Sequence, residues 1–308
     1  MFKVNCLKKN YFPSVFILLL SLGVLTGFYG CGSSEREDIT FFGGKIKNPK
    51  GKYIYLSKEN KVIDSARLDD HNKFAFELDS IKEGLYVFNH GPEFQYLYLQ
   101  PTDSVLMYLN TWDFDESLIF SGKGSAKNNF LINLYLQQEK NEKNFKGNYR
   151  LDEQEFSDLI DAGIQKQLDL YDIFINDLEN PPSPQFDKLA KTGIYFPFYF
   201  MKEYYPYNHM WMMKSKKFPQ LSDDFYAYRD QLNLNDPNLI DYEIYVVYIR
   251  TYLKHLAHKK KYIDLEDNNV ELHFMKQVNE KITVPRLKDR LLAGSAWSSL
   301  SNEQMTPE

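Results

Sequence analysis

From Ile39 to Ser121 apolar and polar positions alternate with a period of two, in short runs bounded by turn residues. Residues 52–57 put Ile54 and Leu56 on one face, and Phe74, Phe76 and Leu78 alternate in the same way. Runs over 62–68, 85–88, 94–99, 105–109 and 118–120 continue the series, with turns at Asp69-Asp70-His71-Asn72 and His90-Gly91-Pro92. Roughly seven or eight short strands, about ten residues apart, predict an antiparallel β-sandwich or barrel. From Asn128 the period changes to about 3.6. Phe130, Leu131, Leu134 and Tyr135 open a first helix. Phe156, Leu159, Ile160, Ile164 and Leu168 mark a second, running to about Leu178. Asn180-Pro181-Pro182-Ser183-Pro184 breaks it and places Ser183 as N-cap and Pro184 as first residue of the next helix. Asp236-Pro237 repeats that signature before a long helix carrying Leu239, Tyr242, Tyr245, Val246 and Ile249, and two further helices are expected over 269–280 and 285–300. The expected fold class is α+β: an antiparallel β-sandwich or barrel over residues 39–125, followed by an all-helical domain over 126–308. No fixed-period repeat marks a solenoid.

The first thirty residues follow a different logic. Lys3, Lys8 and Lys9 precede an apolar run from Phe12 to Phe28, and no acidic residue occurs before Glu35. The run is short for a membrane-spanning helix and suits the apolar region of a signal peptide. It ends in Gly30-Cys31, a small residue for peptidase access followed by a thiol able to carry a diacylglyceryl group; Phe28 stands where such boxes usually carry Leu. Residues 1–30 are therefore expected to be a lipoprotein signal peptide, Cys31 the lipidation site, and the small, acidic residues 31–38 a tether. The acidic stretch after Cys31 resembles the signal that sends lipoproteins to the cell surface in Bacteroidota. The expected location is the cell envelope, lipid-anchored at the outer membrane with the body in the periplasm or facing the surface, and Cys6 falls in the segment removed.

Charge and cysteine content narrow the partners. The net charge is −5, and removing residues 1–30 takes three lysines and no acid, moving it to −8. Such a body argues against nucleic acid, which needs clustered Lys and Arg. The run Lys259-Lys260-Lys261 lies at an expected helix end, where cations suit the dipole. After processing Cys31 is the sole thiol, and its lipidation leaves neither a disulfide nor redox chemistry. With 23 Tyr, 23 Phe and 3 Trp, a large core is attainable without disulfides.

Several segments occur in a telling order. Gly44-Lys45-Ile46-Lys47-Asn48, the strand 52–57 and Val62-Ile63-Asp64-Ser65 lead to Leu99-Gln100-Pro101-Thr102-Asp103-Ser104, then to residues 120–131, Phe120-Ser121-Gly122-Lys123-Gly124-Ser125-Ala126-Lys127-Asn128-Asn129-Phe130-Leu131. Together with Leu232-Asn233-Leu234-Asn235-Asp236-Pro237, this order resembles Bacteroidota envelope lipoproteins of the TlpA-like thiol–disulfide interchange family, in their N-terminal β-rich domain of unknown function and the helical segment after it. That family usually continues into a C-terminal thioredoxin-like domain. No Cys-x-x-Cys occurs here, so its reductase chemistry is not carried over, and the resemblance implies a domain-deleted or truncated relative. Thr102 stands where the family usually has Gly, a departure that bears on the tight turn expected there.

Candidate chemistry is sparse. His255 and His258, at i and i+3, could share a metal if His209 or Asp241 supplied a third ligand, but two half-exposed histidines near a basic helix end is the favoured reading. Gly122-Lys123-Gly124-Ser125 joins a strand to a helix, where amides can cradle phosphate, yet it lacks the P-loop spacing and reads as a hinge. The aromatic run from Tyr195 to Trp211 fits core packing, and is also where a groove for a small ligand or protein partner would be sought. Asp152/Glu153 and Asp223/Asp224 suit helix starts. Neither Gly-x-Ser-x-Gly nor His-Glu-x-x-His occurs, so no catalytic residue, cofactor or metal is expected. The expectation is a non-catalytic envelope lipoprotein, a binding or interaction module held to the membrane by its lipid; the alternative is an accessory or truncated member of a thiol–disulfide pathway without its redox domain.

Overall fold

The computed structural model describes residues 39–263 and 269–303, the side chains of 259–263 and 295–303 excepted. Residues 1–38, with Cys31, lie outside the described residues. The strands are β1 (Thr40–Lys47), β2 (Tyr53–Lys58), β3 (Lys61–Arg67), β4 (Lys73–Leu78), β5 (Gly84–His90), β6 (Glu93–Leu99), β7 (Ser104–Asn110) and β8 (Ile119–Lys123). They form two four-stranded sheets, ordered β4-β1-β7-β8 and β3-β2-β5-β6. The sheets are not closed into a barrel, which decides between the two expected forms. All described ladders are antiparallel except one: β1 runs parallel to β7, from Phe41 opposite Ser104 to Lys47 opposite Asn110.

Alternation along the strands builds the space between the sheets. Phe42, Ile54, Leu56, Phe76, Phe88, Leu97, Val105 and Leu109 all point into one core. Phe42 and Phe76 stack there with ring centroids 5.9 Å apart. The turn from β6 to β7 forms despite the missing glycine. Thr102 adopts φ 67, in the left-handed region, a conformation that costs a non-glycine residue about 1–2 kcal/mol. Two hydrogen bonds enforce it: the Asp103 amide donates to the Gln100 carbonyl at 3.1 Å, and the Asp103 carboxylate accepts from the Gln100 amide at 2.8 Å.

The helices are α1 (Ser125–Phe145), α2 (Glu153–Asn176), α3 (Pro184–Met212), α4 (Glu243–Ile263), α5 (Val270–Lys281) and α6 (Pro285–Glu303). Ser183 caps α3 as expected, accepting from the Phe186 amide at 3.1 Å, with Pro184 at the first position. Asp152 and Glu155 form a capping box on α2. Two expected starts differ. Asp223/Asp224 head only a 3-10 helix, Asp224–Gln231, and the cap there is Ser222, which accepts from the Phe225 amide at 3.2 Å. Asp236-Pro237 opens a single 3-10 turn, Pro237–Leu239, and the long helix begins at Glu243. The buried Asp236 carboxylate is shared between the Asn238 amide and the Lys188 ammonium, at 3.0 and 2.8 Å, so it ties the turn to α3 instead of starting α4.

The outer face of the β3-β2-β5-β6 sheet carries the helices. Leu85 and its cross-strand partner Tyr98 are buried in the same cluster as Phe186, Leu189, Tyr245 and Ile249. Consecutive asparagines at the start of α1 fasten the layers. Asn128 is 2 % exposed. Its Oδ1 accepts from the Tyr98 amide at 2.7 Å, and its Nδ2 donates to the Tyr98 carbonyl at 2.9 Å. Asn129 does the same to Phe120, at 2.9 and 2.8 Å. Since β6 and β8 are edge strands of different sheets, one helical turn pairs the backbone of one residue on the edge of each.

Candidate functional site

The residues singled out in the sequence go to different places. His255 is not half-exposed: it is 3 % exposed, with Nδ1 3.0 Å from Glu203 Oε2, because α4 turns it into the helical core and not toward the basic end. Nε2 of His255 lies 3.4 Å from the Tyr226 hydroxyl. His209 Nδ1 faces the Tyr149 carbonyl at 3.0 Å, and Asp241 pairs with Arg286. Among the described residues no three His, Cys, Asp or Glu converge as a metal set. At the hinge, Gly122 and Gly124 have φ 88 and 93. A Cβ on Gly124 would come within 2.5 Å of Asp103 Cγ, so the amino end of α1 already faces a carboxylate where a phosphate would have to approach.

About half of the aromatic run is core, while Tyr204 and Trp211 are exposed. Phe196, Phe198, Met201 and Tyr205 are buried, and Pro197 and Pro206 are accommodated inside α3. Within the run Glu203 is fully buried as well. Arg229 grips both its oxygens, Nε to Oε1 at 2.9 Å, and Tyr228 donates to it at 2.7 Å. The guanidinium lies 3.8 Å from the Tyr226 ring centroid. Burial works to raise the Glu203 carboxyl, but hydrogen bonds from His255 and Arg229 and the Arg229 charge outweigh it and hold the group below its ordinary range. This cluster is an internal staple between α3, the Asp224–Gln231 helix and α4. The first part of the run does line a groove of about 550 Å³, through Tyr195, Phe196 and Tyr199, but its cations Lys188 and Lys191 are paired with Asp236 and Asp187.

The more structured concavity lies where the helices meet the outer face of the sheet. Strands β5 and β6 pair Leu85 with Tyr98, Val87 with Tyr96 and Asn89 with Phe94, which lines these side chains up outward. The helices cover one end of this face and leave the other open: Tyr98 is fully buried, whereas Phe94 is 52 % exposed. Tyr96 stands at the boundary. Its ring meets Tyr242 edge-on at 5.5 Å and Phe94 at 6.1 Å. Its hydroxyl accepts the Glu243 amide at 2.9 Å, one of the donors left free at the start of α4. Burial pushes the Tyr96 hydroxyl up to about 12, so it stays protonated.

Two cavities share Leu85, Tyr96 and Glu243. The first, about 310 Å³, lies toward the β2–β3 turn and is bordered by Lys58, Glu59, Asp241 and Arg290. The second, about 340 Å³, has apolar walls from Leu131, Ile132, Ile244 and Val247, with Tyr135 and Tyr242, and carries Glu139 and Glu142. In the first cavity the charges are matched: Arg290 with Glu243, Arg286 with Asp241, and Lys58 with the Lys82 carbonyl at 2.8 Å and the Tyr86 hydroxyl at 3.0 Å. In the second, Gln95 donates to Asp115 at 2.8 Å, and Lys143 reaches Glu139 from the solvent side at 3.5 Å.

The sequence reading placed its groove on the aromatic run and did not find this cleft, whose residues come from β5, β6, α1 and α4. One signal for it was present. Residues 94–99 are apolar on both faces, Phe94, Tyr96 and Tyr98 on one and Leu97 and Leu99 on the other, as in a strand covered from both sides. No family model matches the chain, and neither a curated protein nor a solved structure matches it.

Proposed function

We propose that this chain is a lipid-anchored binding protein of the bacterial cell envelope, attached through Cys31 and presenting the cleft between the β3-β2-β5-β6 sheet and the helices. The observation that carries the reading is the pair of adjoining cavities floored by Tyr96 and walled by α1 and the start of α4. Concave sites that combine apolar walls with a few placed polar groups are the usual form of small-molecule sites. Binding fits better than catalysis, because the charged groups nearest Tyr96 are consumed in mutual pairs: Glu243 with Arg290 and Asp241 with Arg286.

The anchor and the cleft are tested separately. Cys31→Ala is expected to abolish labelling by a fatty-acid analogue in cells; persistent labelling refutes the anchor. An NMR fragment screen is expected to give hits that shift resonances of Tyr96, Tyr135 and Tyr242 together. A screen whose hits all fall elsewhere refutes the cleft.

A further inference from the structure

The two cavities differ in charge, and the difference selects a ligand. In the cavity toward the β2–β3 turn the cations balance the carboxylates. Along α1 the balance fails. Glu139 and Glu142 lie on the same face of α1, one and two turns after Tyr135, and Asp115 is close enough from the turn before β8 to act on Tyr135 with them.

The electrostatics of each group tell the same story. The Glu142 carboxyl is raised by partial burial and then by Glu139. Asp115 is raised by burial, an effect the Gln95 hydrogen bond offsets, and then by Glu116, Glu139 and Glu93. The Tyr135 hydroxyl is raised by burial and by four carboxylates, Asp115, Glu139, Glu142 and Glu116. Lys143 is the cation paired with Glu139, and it is 72 % exposed, so it screens that pair little. The mouth of an apolar, tyrosine-lined cavity thus carries a net negative charge that the exposed Lys143–Glu139 pair offsets only in part.

We propose that the α1 side of the cleft takes a small cationic amphiphile, an organic amine whose apolar body lies on Tyr96, Tyr135 and Tyr242 and whose ammonium faces Glu139 and Glu142. The inference rests on the binding reading above and names its ligand class. Charge complementarity chooses the occupant. An ammonium relieves the repulsion among the carboxylates, while ring faces attract the cation and accept the body. A neutral molecule of the same shape gains only the apolar contact, and an anion adds a further like charge.

Three isosteric probes separate the possibilities: 3-phenylpropylamine, 3-phenylpropanol and 3-phenylpropionate, titrated against the full chain by NMR. The amine is expected to bind about tenfold or more tighter than the alcohol, equivalent to about 1.4 kcal/mol, and the propionate not at all. Its shifts should map to Tyr96, Tyr135 and Tyr242. Glu142→Gln and Glu139→Gln, changes at solvent-accessible positions of α1, should each erase most of the preference for the amine while leaving alcohol binding unchanged. Equal or tighter binding of the alcohol or the propionate overturns the cationic ligand and leaves the binding cleft standing. Absence of binding by all three, or shifts that map outside the cleft, overturns both. Amine binding unaffected by either Gln variant overturns the assignment of the carboxylates.

Discussion

Asn128 offers the sharpest test of how the layers are held. In Asn128→Ala three side-chain hydrogen bonds vanish, two to the Tyr98 backbone and one to the Gly124 carbonyl. Tyr98 is fully buried, so water does not replace the lost partners of its amide and carbonyl. An orphaned buried donor or acceptor costs about 1–3 kcal/mol, and with two left behind the expected loss is about 2–6 kcal/mol. That is a large fraction of a domain stability of about 5–15 kcal/mol. Asn129→Ala removes the matching pair from Phe120. Phe120 is also buried, but Asn129 itself is only partly buried, so removing its side chain opens the site to water and the expected cost is smaller, about 1 kcal/mol. Asn128→Asp keeps the acceptor for the Tyr98 amide but turns an oxygen toward the Tyr98 carbonyl, and should be at least as damaging as Ala. Urea unfolding followed by far-ultraviolet circular dichroism measures all three against Asn133→Ala, at an exposed position of the same helix. Asn128 is not an edge clamp if Asn128→Ala shifts the midpoint no more than Asn133→Ala does, or less than Asn129→Ala.

Thr102→Gly should raise stability by about 0.5–1 kcal/mol, because relief of a left-handed threonine exceeds the entropy that glycine adds to the unfolded chain; a lower melting temperature would contradict the strain. Gly193→Ala should cost about 1–3 kcal/mol, although alanine is the better helix former. Its Cβ would lie 2.5 Å from the Tyr242 hydroxyl and 2.9 Å from Leu134 Cδ2. A stabilised variant in thermal unfolding would show that the packing of Tyr242 and Leu134 against α3 yields more than these distances imply. Glu203, held below its ordinary 4.5, contributes stability that is present above that value and lost as the pH falls through the lower folded value. Glu203→Gln should therefore be less stable at neutral pH and flatten the acid limb; urea midpoints between about pH 3 and pH 7 that keep the wild-type slope would exclude this carboxylate as its source.

How much was legible follows from the range of each interaction. The β-strands could be read because alternation is local: Ile54 and Leu56, or Phe74 and Phe76, report their face from neighbours two residues away. Ser183-Pro184 was legible as a cap, and Asp152 as part of a helix start, because a cap is made within its own first turn. Asp236-Pro237 misled for the opposite reason. Asp236 caps only a 3-10 turn, and its carboxylate also binds Lys188, 48 residues earlier. His255 looked like part of a basic surface because the lysines beside it are neighbours in sequence, while Glu203 and Arg229, which define its surroundings, are not.

The sequence by itself therefore determined the elements and their order: a β-rich part, then helices. It also determined that thiol chemistry is missing from residues 39–308, since no cysteine occurs there. Only the tertiary structure decided that the strands form two sheets, that Asn128 and Asn129 close one edge of each, and that the outer face of one sheet carries the helices and leaves a cleft. The physical reason is that periodicity reports which face of an element is apolar, but not which partner covers it. Tyr96 bonds Glu243, 147 residues away, and the negative potential above it sums carboxylates from separate elements. No window along the chain contains that sum.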